Sequence, residues 1–408
     1  MNTALRVLLD TVEVGRLELL ENDNTRFSLS PAYLQLPERP VLGQTFEDEP
    51  RARLGTRSRV PAYFSNLLPE GRLRELLSVP SEIPYRHEFH LLQRLGEDLP
   101  GAIRIEPAEE TSVHGEEAPG LPETERQISR DGLRFSLAGM QLKFSVLRQG
   151  ERWTLPARGL GGFWIAKLPS HDPHFAGIPE NEFSIMDWAR RSGINVPETR
   201  LVEVSEIDGL ERWGSFAPGK ALLVRRYDRE ERPGLVVRIH QEDFAQVLDV
   251  HGAGDEKYEH ATFQKIAGLV GLISPEDGVE FIRRLVFMIL SGNGDMHLKN
   301  WSLYYPDRIR PRLSPAYDLL STLVYPGTSR KMAFKLGRTK EFKEILPHSF
   351  EPLAPKLNLP LSTVQDVVAT TREQSRRVWS EIQGELPMAS PQKAWLSAWL
   401  GGLPLLRA

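Results

Sequence analysis

A strongly apolar, helix-periodic stretch over residues 281–290 stops at Ser291-Gly292-Asn293-Gly294 and runs straight into Asp295-Met296-His297-Leu298-Lys299-Asn300. Glycines at such an end permit the left-handed backbone of a sharp turn, so the polar groups that follow sit at the mouth of a cleft instead of in a core. The chain must therefore bury this helix and deliver a carboxylate and an amide, five positions apart with Lys299 between them, to one place. In isolation an Asp/Asn-rich turn is more often a simple helix cap. The Asp-x-Asp-x-Asp-Gly spacing of a calcium loop is absent. Phosphotransferases of the protein-kinase type need the spacing seen here: the aspartate accepts or orients the substrate hydroxyl and the asparagine holds magnesium.

Other segments fit that reading in chain order. Phe163-Trp164-Ile165-Ala166-Lys167-Leu168 reads as a short buried strand carrying one lysine, the way a kinase presents its phosphate-pairing lysine; alone, Lys167 could equally be a snorkelling residue at a strand edge. One strand earlier, the small residues of Ser136-Leu137-Ala138-Gly139-Met140-Gln141-Leu142-Lys143 would let backbone N–H groups approach phosphates, although one glycine makes a weak phosphate loop. Leu223-Val224-Arg225-Arg226-Tyr227-Asp228 ends the last strand before the helical region, where a hinge would meet adenine. A second carboxylate, Asp318, follows Pro315-Ala316-Tyr317. It suits a helix N-cap, or a second ligand to a phosphate-bridging magnesium ion. The order of loop, lysine, hinge, Asp/Asn and Asp points to phosphoryl transfer.

Bulk properties narrow the alternatives. A formal net charge of −4 argues against the whole chain being a nucleic-acid binder; Arg51, Arg53, Arg57 and Arg59 form a local basic group better read as a solvated loop. With no cysteine there are no disulfides, thiolate chemistry or Cys-based zinc sites, which fits a reducing compartment. The N-terminal residues lack a signal-peptide core, and no apolar run reaches the ~18–20 residues of a membrane span. The expectation is a soluble cytoplasmic protein with no membrane partner. His87 and His90 lack the i,i+4 spacing of a His-Glu-x-x-His metal site and read as structural.

The 408 residues divide into an α+β N-terminal module over 1–105, an acidic Pro-containing linker over 106–128, a strand-rich region over 129–230 and a region over 231–408 whose pattern is almost entirely helical. Expected strands include 5–9, 15–20, alternating pieces at 27–29 and 33–36, then 133–147, 163–168, 200–206 and 221–227. Expected helices include 61–77, 87–96, 180–192, 276–290 and 361–382. Strands first and helices after predict an α+β, protein-kinase-like two-lobed fold, with a β-rich N-lobe and an all-α C-lobe, preceded by a small α+β subdomain.

The chain resembles the HipA family, the serine/threonine-kinase toxins of HipBA-type toxin–antitoxin pairs, nearly end to end. The resemblance rests on Tyr63-Phe64-Ser65-Asn66-Leu67-Leu68-Pro69-Glu70-Gly71, Leu95-Gly96-Glu97-Asp98-Leu99-Pro100-Gly101-Ala102, the 136–143 segment, Asn181-Glu182, Gln241-Glu242-Asp243, the 295–300 run and Tyr317-Asp318. It implies that Asp295 is the general base and that Asn300 and Asp318 hold Mg2+. ATP would contact Ala138, Gly139, Met140, Gln141, Lys143, Lys167, Arg225, Arg226, Tyr227, His297, Lys299, Asn300, Tyr317 and Asp318. Ser136 falls where the family autophosphorylates to switch itself off. Met296 and Leu298 replace smaller residues usual in the loop, and Arg225 stands where an acidic hinge residue is often found. The implied partners are a HipB-like helix-turn-helix antitoxin, operator DNA reached mainly through that antitoxin, and a protein substrate of the aminoacyl-tRNA synthetase class. A catalytically silent co-repressor and a small-molecule kinase are the competing readings.

Overall fold

The computed structural model describes residues 4–70, 74, 87–108, 142–155, 162–213, 216–232, 235–252 and 254–407. The N-terminal part is an antiparallel five-stranded sheet in the spatial order Arg53–Gly55, Thr25–Leu29, Val12–Leu19, Ala4–Leu9, Ile103–Pro107. Period-two alternation turns Leu5, Val7, Leu17, Phe27, Ile103 and Ile105 inward. There they meet Phe46, Tyr63 and Phe64, with the Phe27 and Phe64 rings edge-to-face at 4.6 Å. The helix Glu88–Leu95 packs on the Ile103–Pro107 strand.

Two expectations fail in this part. Residues 33–36 are not extended: Pro31–Leu34 is a helical turn. The Ser30 hydroxyl accepts the Tyr33 N–H at 3.2 Å, and Pro31 presets the first helical φ, so cap chemistry overrides apolar alternation. The helix expected over 61–77 is not continuous: among the described residues Ala62–Ser65 is a helical turn, 66–70 are not helical and residue 74 is helical again, while 71–73 and 75–86 lie outside them.

A six-stranded sheet follows, ordered Ile207–Asp208, Arg152–Thr154, Lys143–Gln149, Trp164–Lys167, Lys220–Arg225, Thr199–Glu203. The helix Ile178–Arg191 packs against its last two strands. The rest is built around Gly278–Leu290, where every residue from 281 to 290 except Arg283 is buried. A helix with so wide an apolar face must sit deep in a core, its one exposed edge carried by Arg283. Phe263–Ile273, Leu361–Ile382 and Ser390–Gly402 surround it. Trp188 bridges from Ile178–Arg191, its ring 4.8 Å from both Phe287 and Trp379 and its N–H donated to the Ser375 carbonyl at 2.8 Å.

The region expected to be almost entirely helical, as an all-α lobe, instead contains a three-stranded sheet of His240–Asp243, Ser302–Tyr305 and Arg312–Leu313. These strands of two to four residues are too short to register as a periodic pattern within long helical stretches. They matter because Ser302–Tyr305 leaves the 295–300 run directly. The sheet also docks the N-terminal part: the buried Glu242 accepts the Gln44 N–H at 3.0 Å and the Tyr305 hydroxyl. Nearby, Asp228 accepts the Gly101 N–H at 2.8 Å.

Burial raises the Glu242 carboxyl from 4.5 to about 8, its hydrogen bonds from Tyr305 and Gln44 offsetting only part of the rise. A carboxyl raised in the folded state contributes stability that is complete below its unfolded value of 4.5 and is lost as pH climbs through about 8. Glu242→Gln stays neutral throughout, so its Tm is expected to decline less than that of the unaltered protein between those pH values. Thermal melts across that range check this, and parallel Tm curves would contradict it.

Candidate active site

Lys167 ends the central Trp164–Lys167 strand, which runs between Lys143–Gln149 and Lys220–Arg225. Lys143 is its register partner across the sheet. Two like charges in opposite register repel, and here a carboxylate joins them. The Lys167 ammonium bonds Oδ1 of Asp318, and that of Lys143 lies 3.2 Å from Oδ2. Lys167 also bonds Oε1 of Glu182, from the Ile178–Arg191 helix. With Lys167 only 6% exposed and Glu182 2%, neither charge is tolerable alone. Burial works to neutralise Lys167, but Asp318 and Glu182 outweigh it and hold the ammonium above its ordinary value. Burial likewise opposes the charge on Asp318, yet Lys143 and Lys167 keep it far below the usual carboxylate range. Glu182 is pushed upward by burial, with Lys167 opposing and Asp318 reinforcing the rise. Asp318 has a φ of 53°, a left-handed backbone that an L residue adopts only when its surroundings impose it.

The 295–300 loop is tied to this group. Gly292, at φ 64°, ends the core helix. Asn293 accepts the Asp295 N–H at 2.9 Å through its side-chain oxygen and donates to the Asp318 carbonyl at 3.4 Å. The Asn300 side-chain NH2 donates to the Asp295 carbonyl at 2.7 Å, closing the loop and leaving the amide oxygen as its ligating atom. The Gly294 N–H reaches the Thr322 hydroxyl at 2.8 Å. Asp295 is 9% exposed, and its Oδ1 accepts the Tyr258 hydroxyl. Burial raises its carboxyl to about 6, against the pull of Tyr258 and Lys257.

The remaining candidates divide. His297 is buried, edge-on to the Tyr258 ring at 5.1 Å, with neither ring nitrogen hydrogen-bonded among the described residues. Burial lowers it to about 3, so it is neutral. Tyr317 donates to the Lys299 carbonyl at 2.9 Å and stacks on Tyr227 at 5.9 Å, whose hydroxyl donates to Gln241. Arg225 is half exposed and pairs with Glu198 at 3.5 Å. Two cations face the N-terminal part: Lys299 meets the Asn66 carbonyl at 2.8 Å, Asp243 at 3.2 Å and Glu70 at 3.3 Å, and Arg226 meets Asp228 at 2.8 Å and Asp98 at 3.2 Å. Ser136, Ala138, Gly139, Met140 and Gln141 lie outside the described residues. His87 and His90 stack at 6.3 Å, and no group of three or more His, Asp or Glu among the described residues is arranged to hold a metal ion.

Sequence reasoning did not single out Glu182, Tyr258, Lys257 or Glu70 as site residues. Glu182 left a signal, a carboxylate on the buried face of an amphipathic helix. Glu70 lies in the 63–71 segment that carries the family resemblance, but its role there gave no signal, and Lys257 and Tyr258 left none, because their partners are distant in the chain.

Residues 5–106 match the HipA N-terminal domain and residues 135–379 the HipA-like C-terminal domain. Over 400 residues the chain is 42% identical to "Putative kinase Y4dM" of Sinorhizobium fredii, covering 95% of this chain and 94% of that one. It is 25% identical to "Serine/threonine-protein kinase toxin HipA" of Shewanella oneidensis, covering 83% and 79%. In fold it is similar to the S. oneidensis chain solved in a complex of HipA, HipB and operator DNA, with a TM-score of 0.75 and 21% identity over 99% of this chain and 96% of that one. Among the described residues, no helix is long and apolar enough to cross a membrane.

Removing the cation at the centre of this group leaves the buried Glu182 carboxylate without its ion-pair partner and Asp318 with Lys143 alone. Lys167→Met is expected to cost about 3–5 kcal/mol of folding stability at neutral pH. Asp318, depressed by its lysines, contributes stability that is present above its unfolded value of 3.8 and is lost as pH falls. The gap between variant and unaltered protein should therefore narrow in acid. Urea titrations at neutral and acidic pH measure it, and a neutral-pH difference near zero would contradict the account.

Proposed function

The chain belongs to the HipA family, and on that premise we propose that it is an ATP- and magnesium-dependent serine/threonine protein kinase, with a two-lobed kinase-type cleft, acting as the toxin of a toxin–antitoxin pair. The observation that carries this reading is the buried Lys167–Glu182 ion pair with Asp318 bonded to the same ammonium. A strand lysine paired to a helix glutamate, beside a metal-binding aspartate, is the arrangement protein kinases require for transfer. The loop next to it supplies the base and a second oxygen ligand.

The residues fit the proposed ligands. A carboxylate oxygen from Asp318 and the amide oxygen of Asn300 suit magnesium, which takes hard oxygen donors and keeps waters and phosphates as its other ligands. When bound, the ion neutralises phosphate charge. Lys143 and Lys167 now share the two oxygens of Asp318 and would turn to phosphate oxygens. Arg225, Tyr227 and Tyr317 would border the adenine. His297 and Lys299 would act on nucleotide through the loop they brace. In transfer, Asp295 takes the proton of a serine or threonine hydroxyl as that oxygen bonds the terminal phosphorus of ATP. The bond from phosphorus to the bridging oxygen breaks, and ADP leaves.

Relatives supply the context. A HipB-like antitoxin would be the partner, as in the S. oneidensis complex. With a net charge of −4, this chain would leave most DNA contacts to it. The proposed substrate is an aminoacyl-tRNA synthetase or another cytoplasmic translation protein. Phosphorylation of Ser136 would add about 1.5–2 negative charges to a segment that must approach a polyanion, and so inactivate the kinase.

Asp295→Asn is expected to lower the maximal rate of phosphate transfer by about 10²–10⁴-fold while nucleotide affinity persists. A base must be ionised to act, so the rate of the unaltered protein should fall as pH drops through about 6. Mass spectrometry should find phosphate on Ser136 in the unaltered protein, whose intact Asp295 can put it there, and none in the variant. A variant with undiminished turnover would remove Asp295 from the mechanism.

A further inference from the structure

Asp295 is held by more than its own loop. Tyr258, in the three-residue turn Glu256–Tyr258, donates its hydroxyl to Oδ1 of Asp295. Oδ2 has no partner among the described residues, which leaves it for the substrate hydroxyl. A single 3₁₀ turn has little stability of its own, so something else must place Tyr258. The adjacent residue does so. The Lys257 side chain is 3% exposed, and its ammonium meets Oε2 of Glu70 at 2.7 Å. Burying an ammonium is costly unless an anion is hydrogen-bonded to it. Oε1 of Glu70 lies 3.3 Å from Lys299, the residue before Asn300. One carboxylate of the N-terminal part thus clamps the residue before Tyr258 and the residue before Asn300.

The surrounding backbone is drawn in the same way. Asn66 donates its side-chain NH2 to the Val250 carbonyl at 2.8 Å and accepts the Gly252 N–H at 2.9 Å. A Cβ at Gly252 would come within 2.3 Å of the Asn66 side-chain oxygen, so the strap leading to Tyr258 lies directly on the N-terminal part. We propose that Tyr258 is a positioning residue for Asp295, and that a buried chain from Glu70 through Lys257 makes the N-terminal part a working component of the transfer site. This rests on the kinase reading above. Its consequence is that displacing the Asn66–Glu70 segment would lower transfer at a distance, without any contact with ATP.

The experiment uses the full chain and follows incorporation of label from ATP carrying a radioactive terminal phosphate. It compares the unaltered protein with Tyr258→Phe and Glu70→Gln. Tyr258→Phe removes one oxygen atom and should fold. Its maximal rate is expected to fall by about tenfold to a hundredfold, the scale of a misplaced reacting group, with the half-saturating ATP concentration unchanged. Asp295 also faces Lys257, Asp318 and Lys143, which stay in place. Loss of a hydroxyl that favours the ionised carboxyl should therefore move the acid limb of the rate profile to higher pH. Glu70→Gln should lower the maximal rate in the same direction. A Tyr258→Phe protein that keeps both rate and acid limb, or that works faster, overturns the proposal. No transfer by the unaltered protein overturns the kinase reading and this proposal with it.

Discussion

One buried ammonium organises the site. Lys167 carries its charge at a depth where an unpaired ion is not stable, and it does so because Glu182 and Asp318 both bond it. These three residues come from a strand, a helix and a loop 151 positions downstream of the lysine. The sheet, the Ile178–Arg191 helix and the segment after the 295–300 loop are therefore not independent: moving any of them exposes an uncompensated charge. Such a triad adds little net stability over a well-packed apolar alternative. Its retention makes sense for a site that needs fixed cations beside a movable anion.

A second constraint comes from the core helix Gly278–Leu290. Because every residue from 281 to 290 except Arg283 is buried, it sits deep in the helical part and its end is fixed there. Gly292 reverses the chain at that fixed point, and the Asn293 and Asn300 side chains close the loop that presents Asp295. The far side of the loop rests on the N-terminal part through Lys299, Asn66 and Glu70. The N-terminal part is thus coupled to Asp295 by ionic contacts although, among the described residues, it contributes no group to Asp318 or Lys167.

Much of this was legible in the sequence where the signal is local. The 281–290 helix, the glycine stop and the lysine-bearing strand each follow from periodicity or turn chemistry within about ten residues. The 302–305 strand was hidden because four residues make no period, and the 33–36 turn because a Ser-Pro cap outweighs apolar alternation. Lys299 shows a different limit. The family resemblance implies a role toward nucleotide, and what the sequence did not show is where its side chain lies: within the 3₁₀ turn Leu298–Asn300 consecutive side chains diverge. Its ammonium points to Glu70 and Asp243. Glu70 fell within a segment that carries the family resemblance, but its role, like those of Lys257 and Tyr258, could not be read, since it lies in pairings of 187 positions for Glu70–Lys257 and 37 for Tyr258–Asp295.

The central claim is that Lys167, Glu182 and Asp318 form the phosphate and metal end of a transfer site. The most direct measurement follows label from the terminal phosphate of ATP into protein serine or threonine, with and without magnesium, for the unaltered chain and for Asp318→Ala. The account predicts magnesium-dependent labelling that is lost in Asp318→Ala. Labelling that survives EDTA, or that survives in Asp318→Ala, would contradict it.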